Sequence, residues 1–368
     1  MKRIFYIGDA HIRRCVYQTR PAMAGDSYRA LISIVDDIIA HEADEKALVM
    51  CGDVLDQITP EPEDIYVLTS QLQRLREVGI PVYAIEGNHD TVYNKPSEEW
   101  EGGRQWAEVI EPIQHAAGRS VNILGSVHYF MSYVYGSKIY EILEKVPECD
   151  VLIIHQPMDY LSPFEAFTIG SDDIPATVHK MVVAGHVHTP DVRNILGIKV
   201  VSPGCTHIQR FTHEPGSYYS FDPDNDVGEH VKVKGQRIFL RFDLREYEGT
   251  VKDLIEQIKN TVKHSGDIKP AVNIKFGQEH IQMLEDIKTA VASEVHLFDK
   301  RTSDNNAVVV LASTGGQDTD FKELMKLCGQ SLSIEPCEQV EEIVLAAAYN
   351  ESEGDIEAKI NSLVEESK

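Results

Sequence analysis

The stretch Ile85-Glu86-Gly87-Asn88-His89-Asp90 ends an apolar run at a glycine and then places an amide, an imidazole and a carboxylate side by side. A neutral Asn offers a metal ion a carbonyl oxygen without adding charge, and an adjacent His can exchange a proton near neutral pH. The stretch therefore predicts one metal ligand, Asn88, beside one proton donor, His89. Alone, a Gly-Asn-His-Asp run is more often a polar turn, and four further stretches decide between the two interpretations.

Four other short apolar runs also end at polar side chains that can bind a metal. They end at Asp9-Ala10-His11, Gly52-Asp53, His155 and Gly185-His186-Val187-His188. Runs of this length that are rich in Val and Ile are typical of strands buried on both faces, and in α/β sheets the functional groups lie at the carboxyl ends of such strands. We therefore expect five strand ends to meet at one cleft.

The spacing of apolar residues alternates between strand and helix up to Glu86. One helical pattern begins at Asp26, which can cap it, and ends at Ile39, and a second extends from Ile65 to Val78. This alternation predicts a largely parallel sheet with right-handed crossovers. Antiparallel strands are predicted at Val192–Ile195, Ile198–Val201, Ser217–Phe221, Val231–Val233 and Ile238–Phe242. Together these patterns predict an α/β (α+β) fold in which two sheets form an αββα sandwich.

The sequence pattern changes near residue 240, and no metal-binding motif recurs beyond it. We predict a catalytic domain over residues 1–240, a small α+β capping domain over 241–334 and an acidic helical tail over 335–368. The capping domain is predicted from segments at Val251–Val262, Ala271–Phe276, Glu279–Ala292, Val308–Leu311 and Asp320–Leu327. The tail carries apolar stripes among its acids, so it must pack on the chain's own core or on a partner.

The net charge of the chain bears on whether the protein binds nucleic acids. With 35 Lys and Arg against 59 Asp and Glu, the net charge is −24, which argues against a free-standing nucleic-acid binder. The net negative charge is a weaker argument against DNA binding if divalent cations lie in the cleft and if a partner supplies most of the DNA contacts. Arg13, Arg14 and Arg210 flank the motifs and are candidates for substrate binding, although each is equally well explained as a surface charge.

Two further features bear on compartment and cofactor class. No apolar run of membrane-spanning length is present, and the first residues lead into a strand, so we expect a cytoplasmic protein that does not enter a membrane. The six cysteines show no C-x-x-C spacing. The sequence therefore predicts neither a zinc ribbon nor a disulfide framework.

The polar residues at the five strand ends form a ligand set suited to first-row divalent metals. The set comprises Asp9, His11, Asp53, Asn88, His155, His186 and His188. Any single histidine among them could be a satisfied core residue, but seven ligands exceed what one ion needs and predict two ions ~3.5–4 Å apart. We predict that Asp53 bridges the ions, that Asp9, His11 and His188 complete one site, and that Asn88, His155 and His186 complete the other.

Two ions so placed would support phosphate-ester hydrolysis, because they polarise a phosphoryl oxygen and activate a water molecule near neutral pH. His89 lies beside the ligands and is predicted to stabilise the developing charge or to protonate the leaving oxygen. We expect Asp90 or Asp56 to orient His89, and the sequence leaves both open.

The five motifs together resemble those of the calcineurin-like metallophosphoesterases. Within that superfamily, Gly8-Asp9-Ala10-His11, Gly52-Asp53-Val54-Leu55-Asp56 and Ser202-Pro203-Gly204-Cys205-Thr206 most resemble the SbcD-type nuclease of double-strand-break repair, including the recombination endonuclease subunits of phages. One residue departs from the pattern of some members, because Asp56 stands where they carry a second histidine.

The resemblance implies a set of properties for this chain. It implies two Mn²⁺ ions, with Mg²⁺ as the alternative, together with 3′-to-5′ exonuclease and single-strand endonuclease activity in DNA repair, recombination and replication. It also implies a homodimer within a heterotetramer that contains an SbcC-type ATPase, acting in the host cytoplasm if the protein is viral.

Two rival functions share the same core. One is a phosphatase or a cyclic-nucleotide phosphodiesterase, but Gln57 and Asp90 stand where serine/threonine phosphatases usually carry Arg and Glu. The other is a non-enzymatic scaffold, which an intact ligand set argues against, because clustered acids and histidines cost stability without a metal.

Overall fold

The computed structural model describes residues 1–14, 23–90, 110–162, 165, 167–209 and 214–301. Its strands are β1 (Lys2–Ile7), β2 (Glu45–Cys51), β3 (Val82–Ile85), β4 (Ile113–His115), β5 (Ser120–Ile123), β6 (Ser126–Met131), β7 (Cys149–His155), β8 (Val178–Gly185), β9 (Asp191–Ile195), β10 (Ile198–Ser202), β11 (Ser217–Asp222), β12 (Val227–Lys232), β13 (Phe239–Asp243), β14 (Ala271–Phe276) and β15 (His296–Arg301). Its α-helices are α1 (Asp26–Ala40), α2 (Pro62–Glu77), α3 (Lys138–Leu143), α4 (Val251–His264) and α5 (Ile281–Val291). None of these helices is long and apolar enough to cross a membrane.

The first sheet has the strand order β12-β11-β1-β2-β3-β4. Strands β1 to β4 are parallel. On the other side of β1, β11 pairs antiparallel with β1, and β12 pairs antiparallel with β11. Helices α1 and α2 form the crossovers between β1, β2 and β3, as the alternating sequence pattern predicts. Helix α2 begins with Pro62 behind a capping box formed by Glu61 and Asp64, which fixes its first turn.

The second sheet has the strand order β5-β6-β7-β8-β10-β9. Its four inner strands, β6, β7, β8 and β10, are parallel, and the outer strands β5 and β9 are antiparallel to their neighbours. The predicted hairpin of β9 and β10 is confirmed, with Ile195 paired to Ile198 beside the turn.

The two sheets pack face to face, and the alternation of side chains along β2 shows how the layers form. Leu48 and Met50 point to one face and join the core that contains α1 and α2. Val49 and Cys51 point to the other face and join the core with Phe130 and Ile153 of the second sheet. A third core covers the outer face of the second sheet and includes α3. The predicted αββα sandwich is therefore confirmed.

A third sheet, β13-β14-β15, is entirely parallel and has a hydrophobic core of its own with α4 and α5. The prediction that the strand at Ile238–Phe242 extends the antiparallel sheet was wrong, because Phe239–Asp243 pairs in parallel with Ala271–Phe276. Helix α4 follows this strand directly, so β13, α4 and β14 form one crossover unit. A domain boundary at residue 240 would divide β13, whereas a boundary just before it keeps the small module intact.

Strand β15 was not predicted, because the run His296–Arg301 ends in charged residues and has no clear apolar alternation. The predicted strand at Val308–Leu311, the predicted helix at Asp320–Leu327 and the acidic tail at 335–368 lie outside the described residues. The capping-domain and tail boundaries remain proposals.

A buried ion pair joins the start of the small module to the sandwich. Arg237 Nε and Nη2 donate to the two carboxylate oxygens of Asp26 at 2.9 and 3.0 Å, and Nη1 donates to the carbonyl oxygen of Lys269. The side chains of Arg237 and Asp26 are only 4% and 7% exposed. Asp26 begins α1, where the helix dipole also favours a negative charge.

Replacing Arg237 by methionine is expected to lower the free energy of unfolding by about 2–3 kcal/mol, because Asp26 Oδ2 would lose its hydrogen bond and Oδ1 would keep only Arg29, whose side chain is 37% exposed. Urea unfolding of the whole chain measures the change. Arg74→Met is the matched control, since Arg74 pairs with Asp36 at the surface with both side chains well exposed, and its loss should cost less than about 1 kcal/mol. Equal losses of unfolding free energy in Arg237→Met and Arg74→Met would show that burial of the Asp26–Arg237 pair adds nothing to its effect on stability.

Candidate metal centre

The predicted ligands lie at the carboxyl ends of adjacent strands in both sheets. Asp9, Asp53 and Asn88 follow β1, β2 and β3 of the first sheet, while His155 ends β7 and His186 follows β8 of the second. Packing the two sheets face to face brings these strand ends to one edge of the sandwich. The centre is therefore shared between the sheets.

Several of these residues have a left-handed backbone that is unusual for residues other than glycine. The φ angles are 45° at Asp9, 39° at His11, 47° at Asp53 and 86° at His186. Such conformations cost about 1–3 kcal/mol each and are concentrated at functional sites. Hydrogen bonds offset part of the cost, because Asp9 N–H donates to the Gly52 carbonyl at 3.3 Å and His11 N–H donates to that of Asp53 at 2.9 Å.

Two glycines allow the strand ends to approach so closely. A Cβ atom on Gly87 would collide with the carboxylate and backbone of Asp53, and one on Gly185 would collide with the carbonyl oxygen of Cys51. These glycines are therefore required by the packing of the centre itself.

The first group of ligand atoms surrounds His11. Its Nε2 lies 3.2 Å from His188 Nε2 and 3.6 Å from Asp53 Oδ2, and Asp9 Oδ1 lies 3.5 Å from His188 Nε2. Ligand atoms at about 2.0–2.2 Å from one ion lie roughly 3–3.5 Å apart. The donor atoms are thus spaced as a metal site requires.

The second group surrounds His155 and Asn88. His155 Nε2 lies 3.2 Å from Asn88 Oδ1 and 3.3 Å from Asp53 Oδ2, and His186 Nδ1 lies 2.9 Å from Asn88 Oδ1. Asp53 Oδ2 is therefore close to a ring nitrogen of each group. All seven predicted ligands are brought together, and the donor types and spacings fit two divalent ions.

The outer ring nitrogens of two histidines are fixed by oxygen atoms. His155 Nδ1 donates to the carbonyl oxygen of Cys51 at 2.8 Å, so Nε2 faces the ligand group with its lone pair. His186 Nε2 lies 2.8 Å from Glu165 Oε2. The ring of Tyr133 stacks on His186, with 6.0 Å between centroids.

Sequence reasoning missed Glu165 and Tyr133. Tyr133 lies just beyond β6, at a strand end like the predicted ligands, but tyrosine is not among the residue types that usually bind such metals. Glu165 lies in a polar loop with other acids nearby, and nothing in the sequence distinguishes it.

The electrostatics of the cluster favour the uptake of positive charge. Burial raises the pKa of Asp9. Burial alone would also raise the pKa of Asp53, but His155 and His11 hold it well below its usual range. Burial alone would lower the pKa of His155, whereas Asp53 beside it raises that pKa to about 9. Without a metal the cluster thus balances its carboxylates with protons, which a divalent ion can replace.

His89 lies at the exposed side of the centre, beside His11. Its backbone N–H donates to Asp53 Oδ1 at 2.8 Å, and its Nδ1 lies 3.0 Å from the carbonyl oxygen of Asp56. Its ring meets that of His11 edge to face, with 4.7 Å between centroids.

The two carboxylates expected to orient His89 have other partners. Asp90 accepts hydrogen bonds from the backbone N–H groups of Val54, Leu55 and Gly87 at 3.1, 2.9 and 3.0 Å. Burial and the neighbouring Asp53 raise its pKa to about 7. Asp90 therefore fixes the loop after β2, and among these contacts it is the backbone of Asp56, not either carboxylate, that orients His89.

The three arginines suggested for substrate binding differ in position. Arg13 Nη1 donates to Asp56 Oδ2 at 2.9 Å beside the centre. Arg14 is exposed and its Nε lies 3.5 Å from Glu63. Arg210 lies outside the residues that the structure describes.

Residues 2–190 match the calcineurin-like phosphoesterase family, and the chain belongs to this family. Among curated proteins it is similar to the DNA double-strand break repair protein Mre11 of Haloferax volcanii, with 26% identity over 288 residues that cover 74% of this chain and 60% of that protein. The protein of the same name from Methanosarcina mazei is 29% identical over 174 residues, or 44% of this chain and 26% of that protein.

The chain therefore spans less than two thirds of either of these relatives. Among solved structures, Vps29 from Entamoeba histolytica matches 63% of this chain and 99% of that chain at 12% identity, with a TM-score of 0.30.

Proposed function

We propose that this protein is a dinuclear-metal-dependent DNA nuclease. It would hydrolyse phosphodiester bonds in DNA end processing and recombination, as a 3′-to-5′ exonuclease and a single-strand endonuclease. One observation carries the proposal: Asp53 Oδ2 lies 3.6 Å from His11 Nε2 and 3.3 Å from His155 Nε2, close to both groups of candidate ligand atoms. The similarity to repair proteins named Mre11 supports DNA as the substrate.

The residues of the centre would have distinct tasks. Asp9, His11 and His188 would hold one ion, Asn88, His155 and His186 the other, and Asp53 would bridge them. When bound, two Mn²⁺ or Mg²⁺ ions supply a polarised phosphoryl oxygen and an activated water molecule. His89, held at Nδ1 by the Asp56 carbonyl, would donate a proton from Nε2 to the leaving oxygen. Asp90 would keep the Asp53 loop in place.

The charge of the chain bears on how it meets DNA. A protein with a net charge of −24 should bind a polyanion weakly alone, because only a few cationic contacts are available to neutralise phosphates. We therefore propose that it works with an SbcC-type ATPase, as a homodimer within a heterotetramer.

A comparison of substrates tests the proposed function. The pure protein with Mn²⁺ is incubated in parallel with end-labelled duplex DNA, single-stranded DNA, p-nitrophenyl phosphate and a cyclic nucleotide. We expect cleavage of DNA at rates well above those for the two small esters. Faster turnover of p-nitrophenyl phosphate or the cyclic nucleotide would instead identify a phosphatase or a phosphodiesterase, and no turnover of any substrate would favour a scaffold.

The acidic tail at 335–368 is our candidate for the segment that docks the ATPase, because a negative segment associates rapidly with a basic surface. Its deletion should leave Mn²⁺-dependent cleavage of short single-stranded DNA intact and should abolish ATP-stimulated degradation of long duplexes by the complex. Co-purification of the truncated chain with the ATPase at full stoichiometry would show that the dock lies elsewhere.

A further inference from the structure

We propose that Asp56 is a positioning residue that sets two histidine rings at once, His11 through its carboxylate and His89 through its carbonyl oxygen. Arg13 holds that carboxylate in place. The inference rests on the proposed metal-dependent nuclease function and assigns Asp56 and Arg13 a role inside the same site.

Every oxygen atom of Asp56 has a partner at the centre. Oδ1 lies 3.1 Å from His11 Nδ1, Oδ2 lies 2.9 Å from Arg13 Nη1, and the backbone carbonyl lies 3.0 Å from His89 Nδ1. The carboxylate is only 16% exposed. A residue with these three contacts cannot shift without disturbing at least one of the two rings.

The contact with His11 determines which nitrogen faces the metal ligands. An ionised carboxylate only accepts hydrogen bonds, so Nδ1 carries a hydrogen and donates a hydrogen bond to Asp56. Nε2 then presents its lone pair toward Asp53 and His188, at 3.6 and 3.2 Å. A carboxylate behind a metal-binding histidine also makes the facing nitrogen a stronger ligand.

The contact with His89 has a different purpose. A carbonyl oxygen accepts from Nδ1–H, which leaves Nε2 of this exposed ring as the atom that exchanges a proton. Because the contact comes from the backbone of Asp56, a substitution of the side chain that keeps the loop in place leaves it intact. The two functions of Asp56 can therefore be separated by mutation.

Arg13 is anchored on both sides. Ser27 Oγ accepts from Arg13 N–H at 3.1 Å and donates to the Arg13 carbonyl at 2.8 Å, which fixes the backbone on helix α1. The guanidinium then neutralises the outer oxygen of Asp56. These contacts indicate that Arg13 is a structural partner of Asp56. They argue against an Arg13 side chain that is free to bind a DNA phosphate.

A direct role of Asp56 as a metal ligand is the main alternative. Ligand atoms of His11, Asp56 and His89 all lie within 4.8 Å of one another, so three candidate ligands are present there as well. A ligand and a positioning residue differ in what their loss removes. Loss of a ligand removes a bound ion, whereas loss of a positioning carboxylate weakens one ion without changing the number bound.

The test is calorimetric titration with Mn²⁺ of the full chain and of Asp56→Asn, which removes the charge and keeps the shape. We expect two ions to remain, with the affinity of one site lowered about 10–100-fold, and the Mn²⁺ concentration for half-maximal DNA cleavage raised in parallel. Asp150→Asn is the matched control, because Asp150, like Asp56, is a partly exposed carboxylate that pairs with a cation, here Lys180. Its Mn²⁺ affinities should equal those of the wild type.

Arg13→Gln provides a second variant that does not depend on the folding of Asp56→Asn. We expect a smaller fall in the same Mn²⁺ affinity. A raised KM for DNA at saturating Mn²⁺, with unchanged Mn²⁺ affinity, would make Arg13 a substrate contact and would overturn its assigned role.

Wild-type Mn²⁺ affinity in Asp56→Asn, or a stoichiometry of one ion, would overturn the role of Asp56. If the wild type binds two ions but does not cleave DNA, the proposed nuclease function fails, and the Mn²⁺ affinities still decide the role of Asp56.

Discussion

Substitution of His89 by alanine is expected to lower the rate of phosphodiester hydrolysis by at least about 100-fold while two Mn²⁺ ions still bind. His89 contacts Asp53 through its backbone N–H, and its ring is held by the Asp56 carbonyl rather than by a ligand atom. Alanine keeps the backbone contact and removes the ring, which is both the proposed proton donor and an edge-to-face neighbour of His11. Single-turnover cleavage of end-labelled single-stranded DNA gives the rate, and calorimetry gives the number of ions bound.

The chain offers a matched control for this substitution. His264 is likewise exposed, and its Nδ1 lies 2.7 Å from the carbonyl oxygen of Asn260 on helix α4, in the small module. His264→Ala should leave both the rate and the metal content unchanged. Loss of an ion in His89→Ala would make His89 a ligand and overturn its assignment as a proton donor.

The second large effect is expected from Asp53→Asn, which should weaken the binding of both ions and reduce hydrolysis accordingly. Its Oδ2 lies near a ring nitrogen of each ligand group, and a carboxylate shared by two cations would also screen the repulsion between them. Asp9→Asn should weaken chiefly the binding of the ion that we propose His188 to hold, because Asp9 Oδ1 lies 3.5 Å from His188 Nε2.

Calorimetric titration of Asp53→Asn and Asp9→Asn with Mn²⁺ separates the two roles. The comparison is well matched, since both carboxylates are buried and each follows a parallel strand of the same sheet. Equal losses of affinity in the two variants would argue that no carboxylate bridges the ions.

Much of the fold could be predicted from the sequence because its signals are local. The alternation along β2 and the apolar stripe of α1 depend on neighbouring residues, and each predicted ligand directly follows an apolar strand. The positions of these ligands at strand ends therefore predicted that Asp9, Asp53 and His155 lie close together, even though the strand order was unknown.

The features that were missed depend on contacts between residues far apart in the chain. Strand β13 looks like a continuation of the antiparallel strands before it, and only its pairing with β14 assigns it to the small module. The ion pair of Asp26 and Arg237 joins residues 211 positions apart. No periodicity connects such residues, because their proximity follows from how the sheets and helices pack.

The position of the candidate metal centre between the two sheets also determines when during synthesis its ligands can come together. Strand β1 lies between β2 and β11 in the first sheet, with Ile4 paired to Phe221. Strand β1 therefore has both of its neighbours only after β11, which lies more than two hundred residues later in the chain, has been synthesised. The ligands themselves extend from Asp9 to His188 and come from both sheets, so an emerging chain cannot assemble the centre until nearly the whole sandwich has left the ribosome. Contacts this distant in sequence form slowly, so the seven candidate ligands come together only when folding of the sandwich is complete.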